Sequence, residues 1–470
     1  MPSSRIQGRR RQAGRYALYG ASALAVAAMV LAGFTLQSLW GTDVTVESVE
    51  GWEARPEVQL LREYVRVDTR RGRELDGARF LAAKLEEAGI EAHLEQLGEG
   101  QANLWAILEG EDPRALVLHN HIDVSDIAAP DDWEFPPFAA DTQGPWLYGR
   151  GTFDMKSVAT AQLVAMLALK NSGRPLKRTV IFLATSEEEV GSELGTRWIL
   201  EQHPELVERF WAVLTEGGVI EAVNPEEVKY WGIEVAQKQL TPIWACHSRA
   251  ERLETLAQDL HDQEIFPARR RLTRTVASFL TPYAESRARL RSRLLLSDPA
   301  ELTDNLRGFW RLPPYVQSLF RDEAFALPVE ENPEGGFRMK IHLLTLDETD
   351  PIAAIDELLP EWIRHGVTLQ IGDPLGSPAP SPVDHPLYRH LVSSVETAYP
   401  GIATGPFVLG ASATDARFFR AHGIPAYGFS PFLFFSTDAA KVDATNEKIA
   451  MPSYSHGVRL YVDLLFRLLT

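Results

Sequence analysis

Five acidic or histidine side chains lie where apolar, strand-like runs end or where the next turn begins. They are His121 in VLHNHID, Asp154 in GRGTFDMKS, Glu188 and Glu189 in ATSEEEVGS, and Glu216 in LTEGG. In an open α/β sheet, ligands bind in the crevice outside the carboxyl ends of the strands. Nitrogen and carboxylate donors gathered there are typical of a zinc or di-zinc hydrolase. The ordered set therefore predicts a metal site at that edge of a sheet.

The histidine ligand has a plausible supporting carboxylate. His121 and Asp123 are two residues apart, so both side chains of an extended segment point to the same side. A metal-bound imidazole usually donates its other N–H to a carboxylate, which fixes its tautomer. His119 lies on the same side and is the rival ligand. It is deeper in the strand and has no carboxylate two positions further on, which favours His121.

The carboxylates allow more than one interpretation. Asp154 precedes a helix, where it could bridge two metals or simply cap the helix N-terminus. The run Glu187-Glu188-Glu189 follows an apolar strand. Three adjacent carboxylates repel one another and usually form a solvated turn, but directly after a buried strand they invite a cation. One would bind the metal, and a neighbour would act as general base toward a metal-bound water.

The helices and strands predicted around these residues indicate an α/β domain. Apolar side chains have helical spacing at 56–66, 76–88 and 156–170. Strand-like runs occupy 102–109, 115–120, 179–185 and 211–215. Alternation of strands and helices predicts a mostly parallel sheet flanked by helices. We assign residues 43–240 to the first part of a catalytic domain.

The character of the sequence changes near residue 241. Segment 251–325 is rich in Arg and Leu at helical spacing, a strand-like piece follows at 337–345, and a helix is predicted at 351–364. We assign 241–372 to an inserted smaller α+β domain and 373–470, after a Pro- and Gly-rich linker, to the second part of the catalytic domain. The arginines could bind anionic groups, but a solvated helix face with compensating acids is the favoured interpretation.

Composition narrows the function classes. The 470-residue chain is 45% hydrophobic and 24% charged, which is typical of globular proteins. Its net charge of −17 argues against nucleic acid as a general partner, because a duplex would be repelled. The single cysteine, Cys246, excludes an internal disulfide. No G-x-S-x-G elbow supports a serine hydrolase.

Residues 1–42 have the features of a basic tail and a membrane anchor. Arginines between Arg5 and Arg15 precede an uncharged, Ala- and Leu-rich stretch at 16–42. A bilayer-spanning helix needs about 20 such residues, and the positive flank predicts that the rest of the chain lies outside the cytoplasm. A cleaved signal peptide, processed near Ala32 and releasing a secreted protein, is the alternative.

Taken together, these motifs resemble those of the aminoacylase/carboxypeptidase S family of di-zinc metallopeptidases, over roughly residues 55–470. HNHIDV resembles the family's G-H-x-D-V block, GRGTFDMKS its G-R-G block, SEEEVGS its D-E-E-x-G-S block, and TEGG its D-E-G-G block. The resemblance implies a catalytic domain interrupted by a lid, which would be the inserted domain. Relatives of this kind often form homodimers through the lid.

The resemblance also implies roles for individual residues. One zinc would be held by His121, Asp154 and Glu216, and a second by Asp154 and Glu189, with Asp154 bridging. Glu188 would be the general base, and Asp123 would orient His121. Arg417 in TDAR is a candidate for binding a substrate carboxylate bidentately. A structural ion pair of Arg417 with Asp415 is the alternative.

The chain departs from the family pattern at several positions. The last zinc ligand of the family is a histidine in an H-G-x-N-E block, and here Asp443 of DATNE stands in its place. Aspartate can bind zinc through oxygen, but its charge would lower the Lewis acidity and favour a harder metal such as manganese. In the lid, His247 is the nearest counterpart of a substrate-binding histidine, and His342 replaces an arginine.

We therefore expect a metal-dependent hydrolase that cleaves an amide bond of a small peptide or N-acyl amino acid. A metal-bridged water would attack, with Glu188 as general base, and zinc would be the metal, with manganese or cobalt as alternatives. The second hypothesis is a metal-binding but catalytically silent relative that acts as a binding or scaffolding protein. The lid departures together with Asp443 motivate it.

Overall fold

A computed structural model defines the fold. It describes residues 42–43 and 51–470, except 128–129, 225–226, 264–269, 286–295, 297, 299, 301–308, 311, 313, 347–348, 378, 411 and 436–442. The predicted membrane anchor at 16–42 lies almost entirely outside the described residues and stays a prediction. Among the described residues, no helix combines the length and apolar character that a membrane span requires.

The catalytic domain is built from a large central sheet with helices on both faces. Its first part contains β1 (Thr42–Asp43), α1 (Pro56–Val65), α2 (Glu74–Glu87), β2 (Ala92–Gln96), β3 (Ala102–Leu108), β4 (Asp112–His121), β5 (Asp141–Gln143), β6 (Trp146–Tyr148), α3 (Lys156–Ser172), β7 (Arg178–Thr185), α4 (Thr196–Gln202), α5 (Pro204–Val207), β8 (Phe210–Thr215), β9 (Val219–Asn224) and β10 (Glu227–Gln237). These bounds confirm the predicted strands and helices of this part to within a few residues.

The remaining elements form the inserted segment and the return to the catalytic domain. The inserted segment contains β11 (Gln239–His247), α6 (Ala250–Gln263), α7 (Arg274–Glu285), α8 (Pro314–Ser318), β12 (Glu323–Glu331), β13 (Phe337–Thr345), α9 (Pro351–Leu358), α10 (Glu361–Arg364) and β14 (Thr368–Ile371). The return contains α11 (Pro386–Ala398), β15 (Thr404–Leu409), α12 (Ala416–Ala421), β16 (Ala426–Gly428), β17 (Leu433–Phe435), β18 (Lys448–Ala450) and α13 (Met451–Leu469).

The central sheet has the strand order β17-β9-β10-β16-β8-β4-β7-β3-β2, with β1 and β15 also paired to β10. Strands β7, β4, β8 and β16 are parallel neighbours in its centre. The sheet is therefore mostly parallel where the site lies, as predicted, and β2, β3 and β9 add antiparallel pairings. Because the central strands run in one direction, the residues that follow β4, β7 and β8 emerge at one edge.

Two hydrophobic clusters cover the two faces of this sheet. Helices α2, α3 and α13 supply buried side chains to the larger cluster, which includes Leu81, Leu163 and Leu464. Helices α4 and α12 supply the other, which includes Ile199 and Phe419. The layered arrangement buries the apolar strands completely, which explains why they read as nearly continuous hydrophobic runs.

The lid is a four-stranded antiparallel sheet in the order β12-β13-β11-β14. Its own core includes Ile243 from β11, Leu256 from α6 and Ile341 from β13. The helix predicted at 351–364 is two helices, α9 and α10, because Pro360 disfavours helical dihedrals at Leu359, which has φ −126° and ψ 65°.

One part of the inserted segment does not pack in the lid core. Helix α7 buries Phe279 and Tyr283 against the catalytic domain, where the Phe279 ring lies 5.7 Å from Phe407 and Tyr283 lies 5.3 Å from Tyr230. Val316 and Phe320 belong to the same large catalytic cluster. The chain assigned to 241–372 thus leaves the lid, covers part of the catalytic domain and returns at β12.

Candidate metal centre

His121 ends β4, and its ring lies among carboxylates. The side chain is 1% exposed, and its Nε2 is 3.1 Å from Asp154 Oδ1 and 3.6 Å from Glu216 Oε1. Its Nδ1 donates to the backbone oxygen of Asp123 at 2.9 Å. Burial by itself would lower the pKa of His121, but Glu216, Asp123 and Asp154 outweigh it and raise that pKa well above the usual range. Such a site strongly attracts positive charge.

Two groups of potential metal ligands adjoin one another. In each group, one ligand atom per residue lies within 4.8 Å of the others. The first, which we call the histidine subsite, consists of His121, Asp154 and Glu216. The second, the carboxylate subsite, consists of Asp154, Glu189 and Asp443. The structure therefore brings together all five residues predicted as metal ligands, and Asp154 is common to both subsites.

The donor atoms of the carboxylate subsite fit a cation. Glu189 Oε1 and Asp443 Oδ1 are buried and have no hydrogen-bond partner among the described residues. A buried carboxylate oxygen without a donor is strongly disfavoured. The other Glu189 oxygen, Oε2, accepts a hydrogen bond of 2.8 Å from the Ser125 hydroxyl. The residues present thus suit a pair of divalent cations.

Asp123 links the end of β4 to the turn after β7. Its carboxylate oxygens accept hydrogen bonds from the backbone N–H groups of Glu188, at 3.1 Å, and Glu189, at 3.0 Å. The same carboxylate lies 3.5 Å from His121 Nδ1. Asp123 therefore positions the glutamate turn as well as the histidine. Glu187, the first of the three glutamates, accepts from the Leu194 N–H at 3.1 Å and belongs to the turn itself.

A buried ion pair brings the Asp443 turn to the Asp154 turn. Arg150 and Glu447 are each 1% exposed, and Arg150 Nη1 donates to Glu447 Oε2 at 2.7 Å. Arg150 Nη2 donates to the backbone oxygen of Asp443 at 2.7 Å. Glu447 Oε1 accepts from the backbone N–H of Phe153, at 2.8 Å, and of Asp154, at 3.2 Å. The antiparallel pairing of β18 with β6 sets these two turns side by side.

Glu188 lies next to Arg417, a residue predicted to bind the substrate. Burial, followed by the charges of Asp415 and Glu216, raises the pKa of Glu188 well above its usual range. Arg417 is 3% exposed, and its Nη1 is 3.9 Å from Glu188 Oε1. Its Nε and Nη1 have no hydrogen-bond partner among the described residues. The ion-pair contact seen for Arg417 is with Glu188, whereas Asp415 accepts from the Ser192 hydroxyl.

The rival ligand His119 has a structural environment. Its Nδ1 is 2.8 Å from Thr215 Oγ1, and its Nε2 is 2.9 Å from Thr196 Oγ1 and 3.0 Å from Thr185 Oγ1. Burial, aided by His121, lowers the pKa of His119 to about 3. His119 is therefore a neutral, hydrogen-bonded core residue, and the preference for His121 is consistent with the structure.

The lid histidines occupy different places. His247 is the last residue of β11, about 26 Å along the strand from Gln239, and its Nδ1 accepts from the Arg249 N–H at 3.0 Å. Its role in substrate binding stays a prediction. His342 lies in β13, where burial, Lys340 and Arg417 lower its pKa to about 4.

Gln237 is a positioning residue for the turn at Thr414 that the sequence motifs did not indicate. Its Nε2 donates to the Thr414 backbone oxygen at 3.0 Å, and its Oε1 accepts from the Thr414 N–H at 2.7 Å. An amide side chain can donate and accept in this way, whereas an ionised carboxylate can only accept. The polar run Gln237-Lys238-Gln239 directly after an apolar strand was the available signal. Gln237 holds the turn that carries Asp415 and Arg417.

Comparison with known proteins agrees with this geometry. The profile described as peptidase family M20/M25/M40 matches residues 117–467, more than half of the chain. Aminoacylase-1 of Mus musculus is 25% identical over 424 residues, which cover 87% of this chain and 94% of the relative. The matched range contains every residue of the two subsites.

Solved structures share the fold. An M20 family metallo-carboxypeptidase from Sulfolobus solfataricus superposes with a TM-score of 0.65 at 18% identity, covering 87% of this chain and 98% of that one. Human carnosine dipeptidase 1 gives a TM-score of 0.64 at 15% identity, covering 88% and 96%. At these identities the likeness establishes the architecture alone.

Proposed function

Since the chain belongs to peptidase family M20/M25/M40, we propose that it is a metal-dependent hydrolase that cleaves an amide bond in a small peptide or an N-acyl amino acid. The similar proteins are named as an aminoacylase, a metallo-carboxypeptidase and a dipeptidase, and all three names denote hydrolysis of an amide bond. The observation that carries the proposal is the pair of ligand groups that share Asp154 beside Glu188.

Charge balance supports two divalent cations. The centre gathers five carboxylates, from Asp154, Glu188, Glu189, Glu216 and Asp443. Burial raises the pKa of Asp154 to about 6 and that of Asp443 to about 7, and repulsion between neighbouring carboxylates adds to both shifts. We propose that two cations, zinc in at least one subsite, offset four of these charges. Such ions supply Lewis acidity, which activates water and polarises a carbonyl group.

Within this proposal, Glu188 moves the proton. Its carboxylate takes a proton from the attacking water as the water oxygen bonds to the amide carbon. It then gives that proton to the amide nitrogen as the C–N bond breaks, so a carboxylic acid and an amine leave. A raised pKa suits both steps, because the group must accept a proton and release it near neutral pH. Asp123 holds the Glu188 N–H at 3.1 Å and so fixes the position of the base.

Arg417 would position the substrate. Its guanidinium is buried, close to Glu188, and retains two nitrogens without hydrogen-bond partners among the described residues. A planar guanidinium matches a carboxylate bidentately. We propose that it binds the carboxylate of the peptide or acyl amino acid, which would set the scissile bond at a fixed distance from the base.

The test compares two glutamates of one turn. The full chain, loaded with zinc, manganese or cobalt, is assayed on a panel of N-acyl amino acids and dipeptides. Glu188→Gln is expected to lower kcat by about 10²- to 10⁴-fold without loss of bound metal. Glu193→Gln is the matched control, because Glu193 is 81% exposed on the same turn, and it should retain activity.

Two outcomes would contradict the proposal. Equal activity of Glu188→Gln and the wild-type protein would remove Glu188 as the base. Bound metal with no turnover across the panel would instead support the second hypothesis, a silent metal-binding relative. The predicted homodimer and the extracytoplasmic location stay predictions.

A further inference from the structure

We propose that the two subsites differ in metal preference, so that the histidine subsite takes Zn²⁺ and the carboxylate subsite favours a harder divalent cation such as Mn²⁺. This inference rests on the proposed function for the presence of a metal pair. It goes beyond that function, because it assigns a different ion to each subsite from the residues of this chain.

Donor chemistry separates the subsites. The histidine subsite offers one imidazole nitrogen and two carboxylates, from His121, Asp154 and Glu216. The carboxylate subsite offers oxygen alone, from Asp154, Glu189 and Asp443. Imidazole suits zinc, whereas all-oxygen carboxylate sites suit manganese and magnesium. The difference comes from a single position, since a histidine at 443 would give both subsites one nitrogen.

The charge of Asp443 is only loosely paired with a neighbouring arginine. Arg150 Nη1 lies 3.6 Å from Asp443 Oδ1. The Arg150 guanidinium is already paired with Glu447 at 2.7 Å, and its second nitrogen bonds the backbone oxygen of Asp443. Asp443 Oδ1 accordingly has no hydrogen-bond partner among the described residues. The carboxylate subsite therefore carries one more negative charge than the histidine subsite.

Glu189 gives an independent indication. The Ser125 hydroxyl donates to Glu189 Oε2 at 2.8 Å, which fixes the carboxylate, while the buried Oε1 has no partner. One oxygen is thus held by the protein and the other is left for an ion. Among the residues of the two subsites, the buried carboxylate oxygens without a partner among the described residues are Glu189 Oε1 and Asp443 Oδ1, and both belong to the carboxylate subsite.

The backbone at residue 443 permits a clean test. Asp443 has φ 57°, in the left-handed region that most side chains avoid. Aspartate, asparagine and histidine are the non-glycine residues that are most enriched there. Asp443→His and Asp443→Asn should therefore keep the turn, while one introduces a nitrogen ligand and the other removes only the charge.

Relative preference is the quantity to measure. Zn²⁺ binds most nitrogen and oxygen sites more tightly than Mn²⁺, so zinc in excess would occupy both subsites. The metal-free full chain is instead equilibrated with excess Mn²⁺ and titrated with Zn²⁺ under a zinc buffer. Bound metals are counted by mass spectrometry, and protein-bound Mn²⁺ is followed by electron paramagnetic resonance. Neither readout depends on activity.

The wild-type protein should take up one Zn²⁺ early and keep one Mn²⁺. Displacement of that Mn²⁺ should need at least about tenfold more free Zn²⁺ than in Asp443→His, a factor that corresponds to about 1.4 kcal/mol of binding free energy. Asp443→Asn should bind both metals more weakly in the second subsite, without the zinc shift of the histidine variant.

Equal displacement midpoints for the wild-type protein and Asp443→His would overturn the inference, as would uptake of two Zn²⁺ in one unresolved step. These results are distinguishable from failure of the proposed function. Metal partition can be measured in a protein that hydrolyses nothing, and an active enzyme can still show two equivalent zinc sites.

Discussion

Replacing Glu447 by glutamine should strongly destabilise the protein. Glu447 and Arg150 form an ion pair of 2.7 Å in which both side chains are 1% exposed. The substitution keeps the size and an oxygen that can accept from the Phe153 and Asp154 N–H groups. It leaves the buried Arg150 charge without its close partner, and only the longer contact of 3.6 Å with Asp443 Oδ1 remains.

The expected loss is about 3–5 kcal/mol of unfolding free energy, the range for breaking a buried pair by removing one partner. Burial raises the pKa of Glu447 to about 7, although Arg150 opposes this. The measurement is therefore made at pH 8.5, where the carboxylate of the wild-type protein is ionised. Asp356→Asn is the control, since its pair with Arg364 is similar in length, at 2.8 Å, but Asp356 is 61% exposed. It should cost less than about 1 kcal/mol.

Urea unfolding followed by circular dichroism gives both values. A double variant, Arg150→Met with Glu447→Gln, should recover part of the loss because no unpaired charge remains in the interior. A loss of unfolding free energy for Glu447→Gln no larger than that for Asp356→Asn would contradict this expectation. So would a double variant whose loss equals or exceeds the summed losses of the two single variants.

Two further predictions concern Arg417 and His119. Arg417→Lys should lower kcat/KM for an N-acyl amino acid by about tenfold to hundredfold. The same variant should change kcat/KM much less for a substrate whose carboxylate is replaced by an amide. Equal losses of kcat/KM on the two substrates would argue against carboxylate binding. Burial lowers the pKa of His119 to about 3 in the folded protein, whereas a histidine of the unfolded chain has a pKa of about 6.5. Between these pH values only the unfolded chain binds the proton. The free energy of unfolding therefore falls as the pH falls below about 6.5. His119→Asn should remove about 1.4 kcal/mol per pH unit from that slope, as measured by urea unfolding between pH 4 and pH 6; an unchanged slope would contradict the assignment of a neutral His119.

The strands and the ligand positions could be predicted because the signal is local. Buried parallel strands such as β4 and β7 have apolar sequences; His121 ends β4, and Glu188 and Glu189 lie in the turn after β7. The chain direction at the end of each parallel strand then places these donors at one edge of the sheet. Even Asp443 could be placed, through the neighbouring Asn446-Glu447 of the resembling block.

What could not be predicted depends on contacts between distant segments. Arg150 and Glu447 are separated by 297 positions, and long-range contacts such as the pairing of β6 with β18 bring them together. His119 is distinguished from His121 by threonines of three different elements, which no strand periodicity reveals. Helix α7 has the amphipathic spacing of any surface helix, and the sequence does not show that its apolar face covers the catalytic domain and not the lid.

Anomalous X-ray scattering from crystals of the metal-loaded protein would show whether two cations share Asp154. We expect two anomalous peaks about 3.5–4 Å apart, one beside His121 and Glu216, the other beside Glu189 and Asp443, with Asp154 between them. A single peak, or two peaks without Asp154 in common, would contradict this expectation.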